Sequence, residues 1–171
     1  RIVVCNYETM QNKDLVEAIK KWKPKVLVCD ESQRVKSHKS KRAKVIAEIA
    51  KGCVNRYLLS GTPVLNSPQD IFQQFKILDG GETFGSNYWT FQKKYFYDKN
   101  AGMPKHVHFP QWTPKPGIFK EFNRLISEKG LRATKEECLD LPPLVRENKY
   151  VELSAEQKRA YKEMQQDFVT Y

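Results

Sequence analysis

Long apolar runs are missing from this chain of 171 residues. The longest, Ile2-Val3-Val4-Cys5 and Val26-Leu27-Val28-Cys29, fall far short of the ~20 residues that a membrane-spanning helix needs. Cysteine is scarce. The four, Cys5, Cys29, Cys53 and Cys138, have no metal-clip spacing and fit free thiols in a reducing compartment better than a disulfide framework. Acidic residues are in deficit, with 20 Asp+Glu against 30 Lys+Arg and a formal charge of +10. A globular domain this basic faces a polyanion, nucleic acid first, unless the charge serves only solubility. Glycine is sparse too, and none of the eight is followed by a lysine. A Gly-rich phosphate loop ending in Gly-Lys-Ser/Thr is therefore absent. No signal-peptide pattern opens the chain, because Arg1 leads straight into an apolar run. Apolar residues at 40% and aromatics at 12% are enough for a packed core and argue against wholesale disorder. The length fits one domain, or a large piece of one, and no internal repeat is visible.

The pattern alternates between strands and helices in the first half. Ile2–Cys5 reads as a buried strand, Asp14–Trp22 as the helix after it, and Val26–Cys29 as a second strand. Short continuous apolar runs of this kind suit a parallel sheet covered on both faces. Ala43, Ile46, Ile49, Ala50 and Cys53 share helical spacing, and Tyr57-Leu58-Leu59 is a third strand. Asn66 or Ser67 can cap a helix with Pro68 at its first position, and Ile71, Phe75 and Leu78 form one face of it. This order predicts an α/β domain with right-handed crossovers. The second half differs. Asp79-Gly80-Gly81 breaks the pattern, and Tyr88–Tyr97 reads as an aromatic helix; Tyr88, Trp89, Phe91, Tyr95, Phe96 and Tyr97 could stack bases, but their near-helical spacing favours core packing. Residues 99–117 read as an ordered loop or hairpin, followed by a helix from Ile118 to Gly130. Tyr150–Leu153 has strand spacing, and Ser154 with Gln157 forms a capping box for a last helix carrying Tyr161, Met164 and Phe168.

Two constellations carry chemistry. The first is Asp30-Glu31-Ser32-Gln33, placed directly after a hydrophobic strand. In open α/β sheets the ligand site lies beyond the carboxyl ends of the strands. An Asp there can hold Mg²⁺ through water, and a neighbouring Glu can deprotonate an attacking water. The bland alternative is an acidic N-cap. The second is Ser60-Gly61-Thr62-Pro63, which follows the next strand and alone would be a plain turn. Adjacent parallel strands would set the two loops side by side. Between them Arg34, Lys36, Lys39, Lys41, Arg42 and Lys44 crowd one polar stretch. This is a plausible contact for nucleic-acid phosphates, or else a solvated helix face. His106 and His108 read as surface or packed histidines rather than zinc ligands.

These segments resemble the SNF2 family of superfamily 2 helicases and ATPases. Asp30-Glu31-Ser32-Gln33 looks like motif II, and Ser60-Gly61-Thr62-Pro63 like motif III. The likeness continues through Arg34-Val35-Lys36-Ser37, Arg56–Leu59, Val64–Pro68, Phe84-Gly85-Ser86, Leu131–Lys135 and Leu141-Pro142-Pro143. Asn6-Tyr7-Glu8-Thr9 resembles the segment near motif Ib. The Ser-Gln ending of motif II and Asn66-Ser67-Pro68 look more like bacterial or phage members than eukaryotic remodellers.

The resemblance implies a partial RecA-like α/β lobe over residues 1–78, carrying motifs II and III. It implies a helical SNF2-type extension with a Pro-rich loop over 79–149, and a strand and helix over 150–171 leading toward a second lobe. ATP and Mg²⁺ are the implied cofactors, with Asp30 holding the metal through water and Glu31 activating the attacking water. The implied cofactor-binding set is Asp30, Glu31, Gln33, Ser60, Gly61 and Thr62, with Gln33 linking motif II to motif III and the Ser60 and Thr62 hydroxyls coupling the nucleotide site to DNA. Arg34, Lys36, Ser37, Lys39, Lys41 and Arg42 would meet the backbone of duplex DNA without reading its sequence. Ser37 stands where the family often has Asn, and Ala133 where it often has a second basic residue. The absent Gly-Lys-Ser/Thr loop implies that the chain is a fragment, inactive as an ATPase by itself, whose other lobes belong to the same polypeptide. The expected location is the cytoplasm of a bacterial or phage-infected cell, or the nucleus if eukaryotic. Two other readings remain: a non-catalytic DNA-binding module, and the motor subunit of a restriction or defence nuclease.

Overall fold

The structure is a computed structural model that describes residues 1–61, 67–104, 106–133, 135–138 and 145–167. Two compact units emerge, residues 1–130 and residues 131–171. In the first, α1 (Lys13–Trp22) leads to β1 (Val26–Cys29), α2 (Lys41–Lys51), β2 (Asn55–Leu58) and α3 (Ile71–Asp79). Asn12 starts α1 by accepting the Leu15 N–H at 3.2 Å, the bond that a helix N-terminus would otherwise lack. Ser67 caps a 3-10 turn at Pro68–Asp70 that runs into α3, with Pro68 in its first turn, as the sequence predicts.

β1 and β2 pair in parallel, with Val26 opposite Asn55 and Cys29 opposite Leu58. Leu27, Cys29 and Leu58 turn toward Leu15, Ile19, Ala43, Ile46, Ile49, Ala50 and Ile77, so α1, α2 and α3 share one core with this face. The strands, their crossover and these helices form part of a RecA-like α/β lobe, as the sequence implies. The expectation of two covered faces is corrected. Val26, Val28, Tyr57 and Leu59, on the other face, are each at least half exposed. Ile2–Cys5 also forms no strand. Its side chains border an open cavity of about 810 Å³ that reaches Val26 and Val28, so this segment stands off from β1 and gains no ladder.

A second core is aromatic. It joins Ile71, Phe72 and Phe75 of α3 with Phe84, with Phe91 and Tyr95 of α4 (Tyr88–Tyr95), and with Phe96 of β3 (Phe96–Asp98). Ile118 and Phe122 of α5 (Ile118–Ser127) complete it. Phe91 is 1% exposed, and its ring centroid lies 5.0 Å from that of Phe72 and 5.3 Å from that of Tyr95. β3 pairs antiparallel with β4 (Trp112–Pro114), so the hairpin reading of residues 99–117 holds. Asp98 pins that hairpin, accepting the Gln111 N–H at 2.8 Å and lying 2.6 Å from His108 Nε2. At the end of α3 the Asp79 carboxylate accepts from the N–H groups of Gly81, Glu82 and Thr83. Gly81 has φ 94°, and a Cβ there would sit 2.7 Å from the Gly85 carbonyl oxygen, so only glycine makes this turn.

The second unit contains α6 (Lys135–Cys138) and α7 (Ala155–Asp167). Its capping box forms as expected: Ser154 Oγ accepts the Gln157 N–H, and Gln157 Oε1 accepts the Ser154 N–H. Tyr150–Leu153 is not a strand; Tyr150 is 94% exposed and pairs with no other described strand. Tyr161 and Met164 are exposed. Thr134, Leu141-Pro142-Pro143 and Phe168 lie outside the described residues. No helix among the described residues is long and apolar enough to cross a membrane.

Candidate functional site

Parallel pairing brings the two loops together, as their positions after adjacent strands predict. The ladder extends past the strand ends: Leu59 N–H donates to the Cys29 carbonyl and Ser32 N–H to the Leu59 carbonyl, both at 2.9 Å. The acidic loop is therefore tied to the hydroxyl loop through the backbone. Side chains add a relay. Ser60 Oγ donates to Gln33 Oε1 at 2.7 Å, and Gln33 Nε2 donates to Glu31 Oε2 at 2.5 Å. One primary amide thus joins the carboxylate of the first loop to the hydroxyl of the second. The reading of Gln33 as the link between them has this geometry behind it. Gly61 is exposed with open space around its Cα, and Thr62 lies outside the described residues.

Glu31 has φ 50° and ψ 54°, a left-handed conformation that disfavours any residue with a Cβ. Such outliers cluster at functional sites, where the surroundings hold them in place. Here the holding bonds are local. The Glu31 N–H donates to Asp30 Oδ1 at 3.0 Å, and Tyr7 Oη donates to the Asp30 carbonyl at 2.5 Å. Burial is the main cause that drives the Tyr7 phenol well above its ordinary pKa, and the neighbouring Cys29 and Asp30 add to it, so Tyr7 stays a donor. Burial also pushes the Cys29 thiol up to about 11, which leaves it inert at neutral pH.

Sequence reasoning missed a buried tether beneath the acidic loop. Ser32 and Gln74 are 2% and 1% exposed, and Ser32 Oγ donates to Gln74 Oε1 at 2.8 Å. Gln74 Nε2 in turn donates to the Asp70 carbonyl. A glutamine at a core position of α3 was the available signal, since buried amides seldom go unpaired.

The basic stretch divides. Arg34 and Arg42 both reach Glu8 Oε1, at 2.8 and 3.4 Å. Glu8 is held below the usual carboxylate range by its own backbone hydrogen bond first and by these guanidinium groups after it. Lys36 pairs with Asp70 at 2.9 Å, both largely shielded. Lys39, Lys41 and Lys44 are exposed and form no ion pair with any described residue, and Ser37 is exposed beside them. Three of the predicted contacts are thus engaged within the chain and three face outward.

The exposed carboxylates of Asp30 and Glu31 at the sheet edge fit a hydrated Mg²⁺, because hard oxygen ligands suit it and Asp30 Oδ2 accepts no hydrogen bond from a described residue. No group of three or more His, Cys, Asp or Glu that could hold a metal occurs among the described residues. Such a cation would therefore need ligands beyond this loop.

Three relatives show where the chain stands. It is 32% identical over 152 residues to the human "DNA annealing helicase and endonuclease ZRANB3", which covers 86% of this chain and 14% of that protein. It is 28% identical over 161 residues to the yeast "TATA-binding protein-associated factor MOT1", covering 94% of this chain and 8% of that one. A "Putative protein p41" of Acyrthosiphon pisum secondary endosymbiont phage 1 is 27% identical over 156 residues, covering 85% and 32%. The chain spans only about a seventh of the human relative's length. The model of the "SNF2-related domain" matches residues 1–170, through the acidic loop, the hydroxyl loop and both compact units, and the chain therefore belongs to that family.

Proposed function

We propose that this chain supplies the motif II and motif III half of a nucleotide site in a DNA-dependent ATPase that moves along duplex DNA. The Glu31–Gln33–Ser60 relay carries this reading, because it couples a carboxylate to the neighbouring loop through one amide. Family membership supports it. Residues 1–78 carry the two loops, 79–149 the helical extension with the hairpin, and 150–171 the segment leading toward a second lobe.

Asp30 holds Mg²⁺ through water, and the cation neutralises charge on the phosphates of ATP when bound. Glu31 orients the attacking water and takes its proton. Gln33 holds Glu31 in place and passes the position of that carboxylate to Ser60, with Gly61 and Thr62 in the same coupling loop. The tether from Ser32 to Gln74 keeps the acidic loop seated on α3. Arg34, Lys36, Ser37, Lys39, Lys41 and Arg42 form the DNA-facing stretch. Lys39, Lys41 and Lys44 meet phosphates directly, while Arg34, Lys36 and Arg42 shape the surface through Glu8 and Asp70.

In a protein that carries this chain together with a Gly-Lys-Ser/Thr loop, Gln33→Ala is expected to lower DNA-stimulated turnover roughly tenfold, the scale of one hydrogen bond to a charged group. KM for ATP should stay within about twofold, as for an interaction made outside ground-state binding. Steady-state ATPase with and without duplex reads both. Stimulation equal to wild type would remove the relay from the mechanism.

Substituting Lys39, Lys41 and Lys44 together by Ala is expected to flatten the salt dependence of duplex binding by up to roughly three units of slope, at about 0.9 per phosphate released. The corresponding replacement of Lys158, Arg159 and Lys162 on α7 should change it less. Binding isotherms over a salt series decide this. Equal effects from both triple variants would mean that the charge of +10 acts diffusely.

A further inference from the structure

Most aromatic side chains of α4 are core, as their helical spacing predicts, but Trp89 is not. It is 58% exposed. Beside it the His38 ring lies flat on Tyr88, with centroids 3.5 Å apart and planes at 15°. Trp89 meets both edge-on, at 5.5 Å from Tyr88 and 6.2 Å from His38. The arrangement is braced from below. Tyr88 Oη donates to Gln69 Oε1, Gln92 Nε2 donates to both, and the Phe72 ring packs against Tyr88 at 5.4 Å. Trp89 is therefore an exposed indole on a rigid aromatic base, and its orientation is set before any partner arrives.

The surrounding charge has one sign. Burial is the first cause that holds the His38 imidazole below its ordinary pKa, and the further causes are all lysines: Lys39, Lys44 and Lys76. The imidazole is therefore neutral at pH 7 and acts as an aromatic plate. Lys76 is occupied by the Ser86 carbonyl, whereas Lys39 and Lys44 extend into solvent without an ion pair among the described residues. The acidic neighbour of Tyr88, Asp70, is paired with Lys36. A partner for this patch should offer a flat π face together with negative charge close by. An unpaired nucleobase on its phosphate backbone has both, whereas an aromatic protein side chain brings only the first.

We propose that Trp89, set on the His38–Tyr88 stack, is a stacking platform for an unpaired nucleobase, with Lys39 and Lys44 holding the adjoining phosphates. The inference rests on the DNA-binding reading above and adds to it a site for single-stranded character, such as a displaced or melted base beside the duplex. Nothing in that reading requires a base to leave its stack, so this contact is separate from phosphate binding.

The test uses the full chain and two probes of equal charge and length: an oligothymidylate, and the same backbone with the bases removed. Wild-type chain is expected to bind the base-bearing strand about fivefold or more tighter, the effect of stacking one base. Trp89→Ala should erase that preference while leaving the abasic strand and duplex bound as before. Trp89→Phe should keep most of it. Circular dichroism confirms the fold of each variant, which the exposure of Trp89 protects. A wild-type chain with no preference, or a Trp89→Ala variant that retains it, overturns the proposal and leaves the patch to a protein partner. If duplex still binds with its lysine-dependent salt slope while the base preference is absent, only this inference fails. If neither strand nor duplex binds, the DNA reading fails with it.

Discussion

Glu31→Gln is expected to leave ATP affinity intact and to lower turnover by a factor of ~10²–10⁴, the usual contribution of a positioned general base. The variant belongs in a protein that carries this chain together with a phosphate-binding Gly-Lys-Ser/Thr loop. The substitution is close to silent structurally. The side-chain oxygen that accepts from Gln33 persists in the amide, so the relay to Ser60 can be kept. The left-handed backbone at position 31 imposes the same steric demand on both residues. What disappears is an oxygen basic enough to accept a proton from water. Phosphate-release kinetics and the affinity for a fluorescent ATP analogue separate turnover from binding. Hydrolysis at the wild-type rate would take the base role away from Glu31.

Phe91→Ala should cost about 3–5 kcal/mol of stability, the range for removing a large aromatic from a packed core. Phe91 is almost wholly buried and touches rings from three directions in sequence: Phe72 before it, Tyr95 and Phe96 after it, and Phe122 further on. No flexible neighbour stands ready to fill the void, because Phe72, Tyr95 and Phe122 are themselves held edge to face, Phe72 on Tyr88 and Tyr95 on Phe84 and Phe122. Denaturant unfolding of the two proteins measures the difference. A loss below about 1 kcal/mol would mean that the cluster collapses around the gap, against the usual behaviour of core truncations.

Much of this architecture is legible in the sequence because local signals and global fold agree. Val26–Cys29 and the segment ending at Leu59 read as strands, and their parallel pairing sets Asp30 beside Ser60 without further assumption. Ser67-Pro68, Asp79-Gly80-Gly81 and Ser154 with Gln157 mark helix ends through the chemistry of capping and positive φ, which acts over a few residues. Ile2–Cys5 has the composition of a strand and is not one. A strand is a relation between two segments, and a run of β-branched residues does not reveal whether a partner lies within hydrogen-bonding reach. The same holds for Tyr150–Leu153.

The charged groups were hardest to read for a related reason. Arg34 and Glu8 are 26 residues apart, and Lys36 and Asp70 are 34 apart. Spacing along the chain carries no trace of either pair. The basic stretch looked uniform in sequence, yet folding divides it into cations that hold the surface together and cations that extend from it. Trp89 shows the limit of periodicity. Near-helical spacing favours core packing over base stacking for the whole aromatic run, yet the Trp89 indole points into solvent.

α3 belongs to both hydrophobic clusters, with Ile77 in the first and Ile71, Phe72 and Phe75 in the second. It also carries Gln74, the partner of Ser32 under the acidic loop. A helix shared in this way acts as a party wall. Neither core can loosen without withdrawing support from the other, so residues 1–130 should melt as one cooperative block rather than as two halves in succession. Damage deep among the phenylalanines would then be felt at the carboxylates of the acidic loop, through Gln74 and Ser32. Variation in that aromatic core would then unsettle the acidic loop from a distance, a fault in the masonry rather than in the loop itself.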